Sequence, residues 1–209
     1  MNKSEYFEEW SKLHGDAEIK GIVRAWLTIS YLLCRPLLFL KISPNFLTCS
    51  ALFFAAGYLY KIQSIWAIVL LTLTLALDGI DGTLAILRGK VSRFGAVLDA
   101  VIDRAVESLW IYGLFLLGAP WQILSVIWLV SFIQEYMRAR AGGLGESGIG
   151  IVTVSERPVR ASIIFIALVF YHLDLNLISQ MATFWAALQL ASAIQLFISL
   201  RLRLQQSPR

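Results

Sequence analysis

Four carboxylates, Asp78, Asp81, Asp99 and Asp103, fall in a stretch that otherwise reads as membrane-spanning helix, framed as D-G-I-D-G-T-L-A and F-G-A-V-L-D-A-V-I-D. Each would cost about 2.5 to 3.5 kcal/mol at a bilayer centre on insertion scales, so together they demand a compensating cation or a polar cavity. Asp78 and Asp81 are three apart and Asp99 and Asp103 four apart, so each pair projects from one face of its own helix. Two helices then aim two acids each at a common space. Like charges on neighbouring turns repel unless divalent cations neutralise them, and oxygen-only ligands favour Mg²⁺ or Mn²⁺ over zinc. The pattern therefore points to a dinuclear centre. Gly82 after Asp81, and Gly95 four before Asp99, leave room for close helices or a bulky ligand. Arg88, Lys90, Ser92 and Arg93 add cationic and hydroxyl donors at the mouth, a setting suited to a diphosphate.

The elements that must hold these acids are hydrophobic. Of the 209 residues, 58% are hydrophobic and 12% aromatic, with a mean hydropathy of +0.70, beyond what a soluble domain of this size carries. The expectation is an all-α integral membrane protein. Apolar runs place spans at Phe46 to Tyr60, Trp66 to Leu87, Phe94 to Leu117, Trp121 to Met137, Ala161 to Leu173 and Leu177 to Leu200. Tyr60, Trp66, Trp121, Tyr136 and Tyr171 at their edges are the aromatic types that settle at headgroup level. Gly21 to Leu40 is interrupted by Arg24, Arg35 and Pro36 and reads as an amphipathic juxtamembrane helix lying on the surface, with a seventh span as the alternative. Residues 1–42 are thus a cytoplasmic amino-terminal segment and juxtamembrane helix, and 43–209 the six-helix membrane domain. Met1 to Lys20 is acidic and has no apolar run, so it is expected to be retained rather than cleaved as a signal peptide.

Lys and Arg concentrate in the amino-terminal segment, at Arg88 to Arg93, at Arg138 to Arg160 and in the tail, while the intervening loops hold Lys61 as their basic residue. By the positive-inside rule this alternation puts both termini in the cytoplasm and the protein in the cell membrane. The formal net charge of +4 then reflects topology and attraction to anionic membrane lipids, and nucleic acid is not an expected partner. Cys34 and Cys49 lack metal-ligand spacing and read as small core residues. Glu107 reads as a structural group paired with Arg104 or with a neighbouring helix, an extension of the acidic face being the alternative, and Gln189 and Gln195 read as interhelical hydrogen-bonding groups.

The acidic stretch resembles the signature of the CDP-alcohol phosphotransferase family, D-x2-D-G-x2-A-R-x8-G-x3-D-x3-D, in Asp78, Asp81, Gly82, Ala85, Gly95, Asp99 and Asp103, with Ile86 where the family has Arg. That resemblance implies six transmembrane helices after a juxtamembrane helix, and transfer of a phosphatidyl group from CDP-diacylglycerol or a related CDP-lipid to an alcohol with release of CMP. It implies Asp78, Asp81 and Asp99 as ligands of two divalent ions, Mg²⁺ or Mn²⁺. Asp103 is implied as a ligand and as general base on the acceptor hydroxyl. Ser43 to Thr48 resembles the family's S-P-N-x-x-T element, implying Asn45, Phe46, Leu47 and Thr48, with Gly82 and Ser92, as CDP-lipid contacts. The resemblance also favours a homodimer.

Glu135 to Ala141 and Ser155 to Arg160 resemble the Y-x-K/R-A-R-A and E-R-P-x-R elements of the branch that makes phosphatidylinositol phosphate and its archaeal ether-lipid counterpart. Arg138, Arg157 and Arg160, with Arg140, are then implied to bind the phosphate of a phosphorylated polyol, inositol 1-phosphate first and glycerol 3-phosphate as the runner-up. Ile86 cannot make the family Arg's contact near the nucleotide phosphates, so restoring Arg there is expected to tighten donor binding. Two other classes compete: a cation-coupled transporter, which calls for inverted repeats that are not seen, and a non-catalytic CDP-lipid binder, motivated by Ile86.

Overall fold

Helix punctuation in this chain is local. The computed structural model describes residues 1–145 and 152–206, so part of the glycine-rich turn between Gly142 and Gly150 lies outside the described residues. Eight helices order the described chain: α1 (Lys3–Leu13), α2 (Gly21–Phe39), α3 (Pro44–Tyr60), α4 (Trp66–Leu87), α5 (Arg93–Leu116), α6 (Trp121–Gly143), α7 (Arg157–His172) and α8 (Ile178–Gln206). At the start of α1 Asn2 Oδ1 accepts from the Glu5 N–H at 2.9 Å while Glu5 Oε2 accepts from the Asn2 N–H at 2.8 Å, a reciprocal cap for otherwise orphaned donors. Pro158 sits in the first turn of α7, where its missing N–H costs nothing. Gly89, at φ +59°, carries the turn that closes α4.

Contacts divide the chain into two units, Met1–Gly57 with Thr72–Glu107, and Tyr58–Leu71 with Ser108–Arg209. In the first, α1 packs on α2, and Tyr6, Leu27, Tyr31 and Ile86 form one buried cluster. Cys34, Leu47, Ile80 and Leu84 form another. Cys34 is thus the small core residue expected, whereas Cys49 is exposed, because it falls on the outward side of α3. In the second unit α8 packs along α6 and α7. Gln189 Nε2 donates to Gln134 Oε1 at 2.8 Å, and Gln189 Oε1 accepts from Ser155 at 2.8 Å, so this glutamine does join helices.

Among the described residues, Trp66–Leu87 and Ile178–Gln205 are each long and apolar enough to cross a membrane; Val23–Phe39 and Pro44–Tyr60, bent by 107° at their junction, qualify as a pair. Physical reasons hold the others back. α3 has 17 residues and α7 has 16, short of the roughly 20 a perpendicular span needs. α5 opens with Arg93, Asp99, Asp103, Arg104 and Glu107. The protein is an integral membrane protein, all-helical among the described residues.

Candidate active site

The acidic pairs ride on α4 and α5, and helical spacing turns each pair toward the same face. One carboxylate oxygen each from Asp78, Asp99 and Asp103 lies within 4.8 Å of the other two, and all three residues are half-buried. Oxygens bound to a hard divalent ion sit about 2.0 to 2.6 Å from it, so oxygens up to about 5 Å apart can share one. The donor set therefore fits Mg²⁺ or Mn²⁺.

Asp81 is placed differently. It is buried, its Oδ2 accepts from the Thr48 hydroxyl at 2.5 Å, and its Oδ1 accepts from the Gly82 N–H at 2.6 Å. The short Thr48 bond to a carboxylate is charge-assisted and ties the start of α3 to α4. Glu107, almost fully buried, pairs with Arg104 one turn away on α5, as its sequence position suggests.

Beside these acids opens a cavity of 630 Å³ lined by Asn45, Thr48, Asp78, Asp81, Gly82, Ser92 and Asp99, all singled out by sequence. A Cβ at Gly82 would meet no protein atom within 4 Å, so the missing side chain keeps cavity space open. A Cβ at Gly95 would come within 3.0 Å of Ser92 Oγ and 3.5 Å of Asn45 Oδ1, so this glycine lets α5 approach the start of α3. The other two residues of the expected donor set lie elsewhere: Phe46 is exposed and Leu47 is in the core with Cys34 and Leu84. Sequence reasoning missed a whole wall. Trp10, His14 and Trp26, from α1 and α2, also line the cavity, and nothing in the polar composition of α1 signals it.

Two further side chains resolve the departure at position 86. Ile86 is buried against Tyr6, Leu27 and Tyr31. Arg88, its neighbour two residues on, donates to the Ile42 carbonyl, which anchors the α2–α3 junction.

In the second unit the arginines are held in a network. Arg138 Nη1 and Nη2 donate to the two Glu156 oxygens at 2.9 and 2.5 Å, a bidentate fork. Arg160, fully buried, donates through Nε to the Ser155 carbonyl at 2.8 Å and pairs with Glu135 at 3.3 Å. The Arg157 guanidinium lies 5.4 Å from the Trp110 ring centroid, and Arg140 is exposed. Burial would raise the Glu156 carboxyl, but the bonds from Arg138 and from the Thr153 hydroxyl and N–H outweigh it and hold the group below its ordinary value.

The model of the CDP-alcohol phosphatidyltransferase family matches residues 41–194. The chain belongs to this family. CDP-alcohol phosphatidyltransferases are metal-dependent transferases of phospholipid synthesis. This member is 37% identical to the archaetidylinositol phosphate synthase of Pyrococcus horikoshii over 135 residues, 63% of this chain and 71% of that one. It is 34% identical to the phosphatidylinositol phosphate synthase of Corynebacterium glutamicum over 145 residues, covering 62% and 64%. In fold it is similar to the Mycobacterium tuberculosis phosphatidylinositol phosphate synthase solved with CDP-DAG bound, with a TM-score of 0.70 at 23% identity over 83% of this chain and 94% of that one. The same enzyme with manganese and citrate gives 0.67 at 22%, over 82% and 88%. The match begins after α2, so the aromatic wall of the cavity lies outside the family segment.

Proposed function

We propose that this enzyme transfers a phosphatidyl-type group from CDP-diacylglycerol or a related CDP-lipid to the hydroxyl of a phosphorylated polyol, inositol 1-phosphate, with release of CMP. The observation that carries the reading is the convergence of Asp78, Asp99 and Asp103 on helices whose acids also line a 630 Å³ cavity. The names of the curated relatives support the acceptor. Asp78, Asp99 and Asp103, together with Asp81 beside them, would hold two divalent ions. Bound there, such ions supply charge neutralisation for the diphosphate and for the leaving CMP oxygen.

The chain's own residues do the rest. Asn45, Thr48, Gly82 and Ser92 line the nucleotide side of the cavity, with Leu47, packed against Cys34 and Leu84, fixing the start of α3. Asp103 takes the proton as the acceptor oxygen bonds to the lipid-bearing phosphorus and the bond from that phosphorus to the CMP oxygen breaks. Placement supplies most of the acceleration. Arg138, Arg140, Arg157 and Arg160 receive the acceptor phosphate, which shares Arg138 and Arg160 with Glu156 and Glu135.

We further read residues 1–42 as a cytoplasmic segment with a juxtamembrane helix and 43–209 as six spans with both termini in the cytoplasm, forming a homodimer in the cell membrane. The decisive assay supplies protein in lipid with CDP-diacylglycerol, Mg²⁺ or Mn²⁺, and one acceptor at a time, and follows CMP. Release with inositol 1-phosphate and not with glycerol 3-phosphate is expected; the reverse overturns the acceptor. Asp103→Asn is expected to lose at least about a hundredfold in turnover with the same melting temperature to within a few degrees; residual activity above a tenth would remove Asp103 as the base.

A further inference from the structure

The donor cavity has a wall that the family segment does not supply. Trp10 and His14 of the α1 end and Trp26 of α2 line the same space as Asp78, Asp81 and Asp99. The His14 ring lies on the Trp10 ring, centroids 3.9 Å apart and planes within 15°, and His14 Nδ1 lies 2.7 Å from the Trp10 carbonyl oxygen, so the pair is set by the chain. Trp26 rests on Gly79, between Asp78 and Asp81; a Cβ at Gly79 would run into its ring.

Two anchors hold this wall against α4. The Tyr6 hydroxyl lies 2.8 Å from Thr83 Oγ1 in a buried hydrogen bond. Ile86 packs under Tyr6, Leu27 and Tyr31. An arginine at 86 would put a guanidinium into that apolar cluster. Ile86 and the docked α1 therefore belong together.

The outer face of α1 is charged: Glu5, Glu8, Glu9 and Lys12 are exposed. Resting on the donor assignment proposed above, we infer that Trp10, with His14 and Trp26, forms a stacking platform for the donor's pyrimidine ring, taking over nucleotide affinity that the arginine absent at position 86 does not supply. Stacking suits this wall because it asks for a flat face and no partner of fixed hydrogen-bonding pattern.

The test uses the full chain in lipid nanodiscs with Mg²⁺ and two soluble probes, CDP and inorganic pyrophosphate, whose dissociation constants are measured for wild type, Trp10→Ala and Trp10→Phe. We expect Trp10→Ala to weaken CDP about tenfold or more, to change pyrophosphate by less than about twofold, and Trp10→Phe to recover most of the loss. CDP within about twofold of wild type in Trp10→Ala, or a parallel loss of both probes, would overturn the platform. Should Trp10→Ala fail to give a homogeneous preparation, His14→Ala, an exposed position, is read by the same pair of constants. A wild-type chain that binds pyrophosphate and not CDP would sink the donor assignment itself, whereas CDP binding indifferent to position 10 would sink the platform alone.

Discussion

Ile86 is where the residue scale is most informative. By sequence it looks like a lost phosphate contact that Arg would restore; in the structure it is 5% exposed within an aromatic and aliphatic cluster. Burying an unpaired guanidinium there costs several kcal/mol, more than one helix docking supplies. Ile86→Arg is therefore expected to release α1 and weaken the donor, the reverse of the sequence expectation. Trypsin cleavage at Lys12 and Lys20 should become about tenfold faster as that segment opens, while donor KM rises. The acids, by contrast, were legible at this scale, because spacings of three and four fix a shared helix face without any knowledge of partners. What spacing could not separate was Asp81 from the other three, since the hydroxyl that claims it lies on another helix.

At the scale of elements, the α6–α7 junction shows why the arginines were only half readable. Arg138 and Glu156 are far apart in sequence, and their fork exists because α7 returns to the end of α6. A word such as E-R-P-x-R locates the charges but not their pairing. The linkage has a definite sign. Glu156 is held below its ordinary 4.5 in the folded chain, so its contribution is complete above that pH and is lost as pH falls through the lower folded value. Wild type should lose melting temperature on acidification below about pH 4.5, and Glu156→Gln should lose less over the same range. An identical acid slope in both would remove this pair from the account. α1 is the element that sequence could not place: its helix is written in the Asn2–Glu5 cap, but its docking depends on Tyr6 meeting Thr83, a contact no local pattern encodes.

For the whole molecule, hydrophobic content and basic-residue alternation made an all-helical membrane protein legible, while span count depends on helices that are short or that carry the chemistry. α5 is the clear case, as its charged opening serves the site at the expense of apolar length. The six-span reading has both ends on one side. Single cysteines at Ser4 and Gln205, in a background with Cys34 and Cys49 replaced by Ala, should both resist an impermeant maleimide in right-side-out vesicles and both react in inverted ones. One end reacting from each side would require an odd count.

One hydroxyl carries a further consequence. Thr153 Oγ1 is approached by Gln134 Nε2 at 3.1 Å, Arg138 Nη2 at 3.3 Å and Ser192 Oγ at 2.6 Å, while itself donating to Glu156 at 2.7 Å. An alcohol oxygen has two lone pairs, so three suitors compete for two seats. Arg138, the most distant, can therefore give up that contact without leaving the hydroxyl thirsty, while its Nη2 stays moored to Glu156 at 2.5 Å.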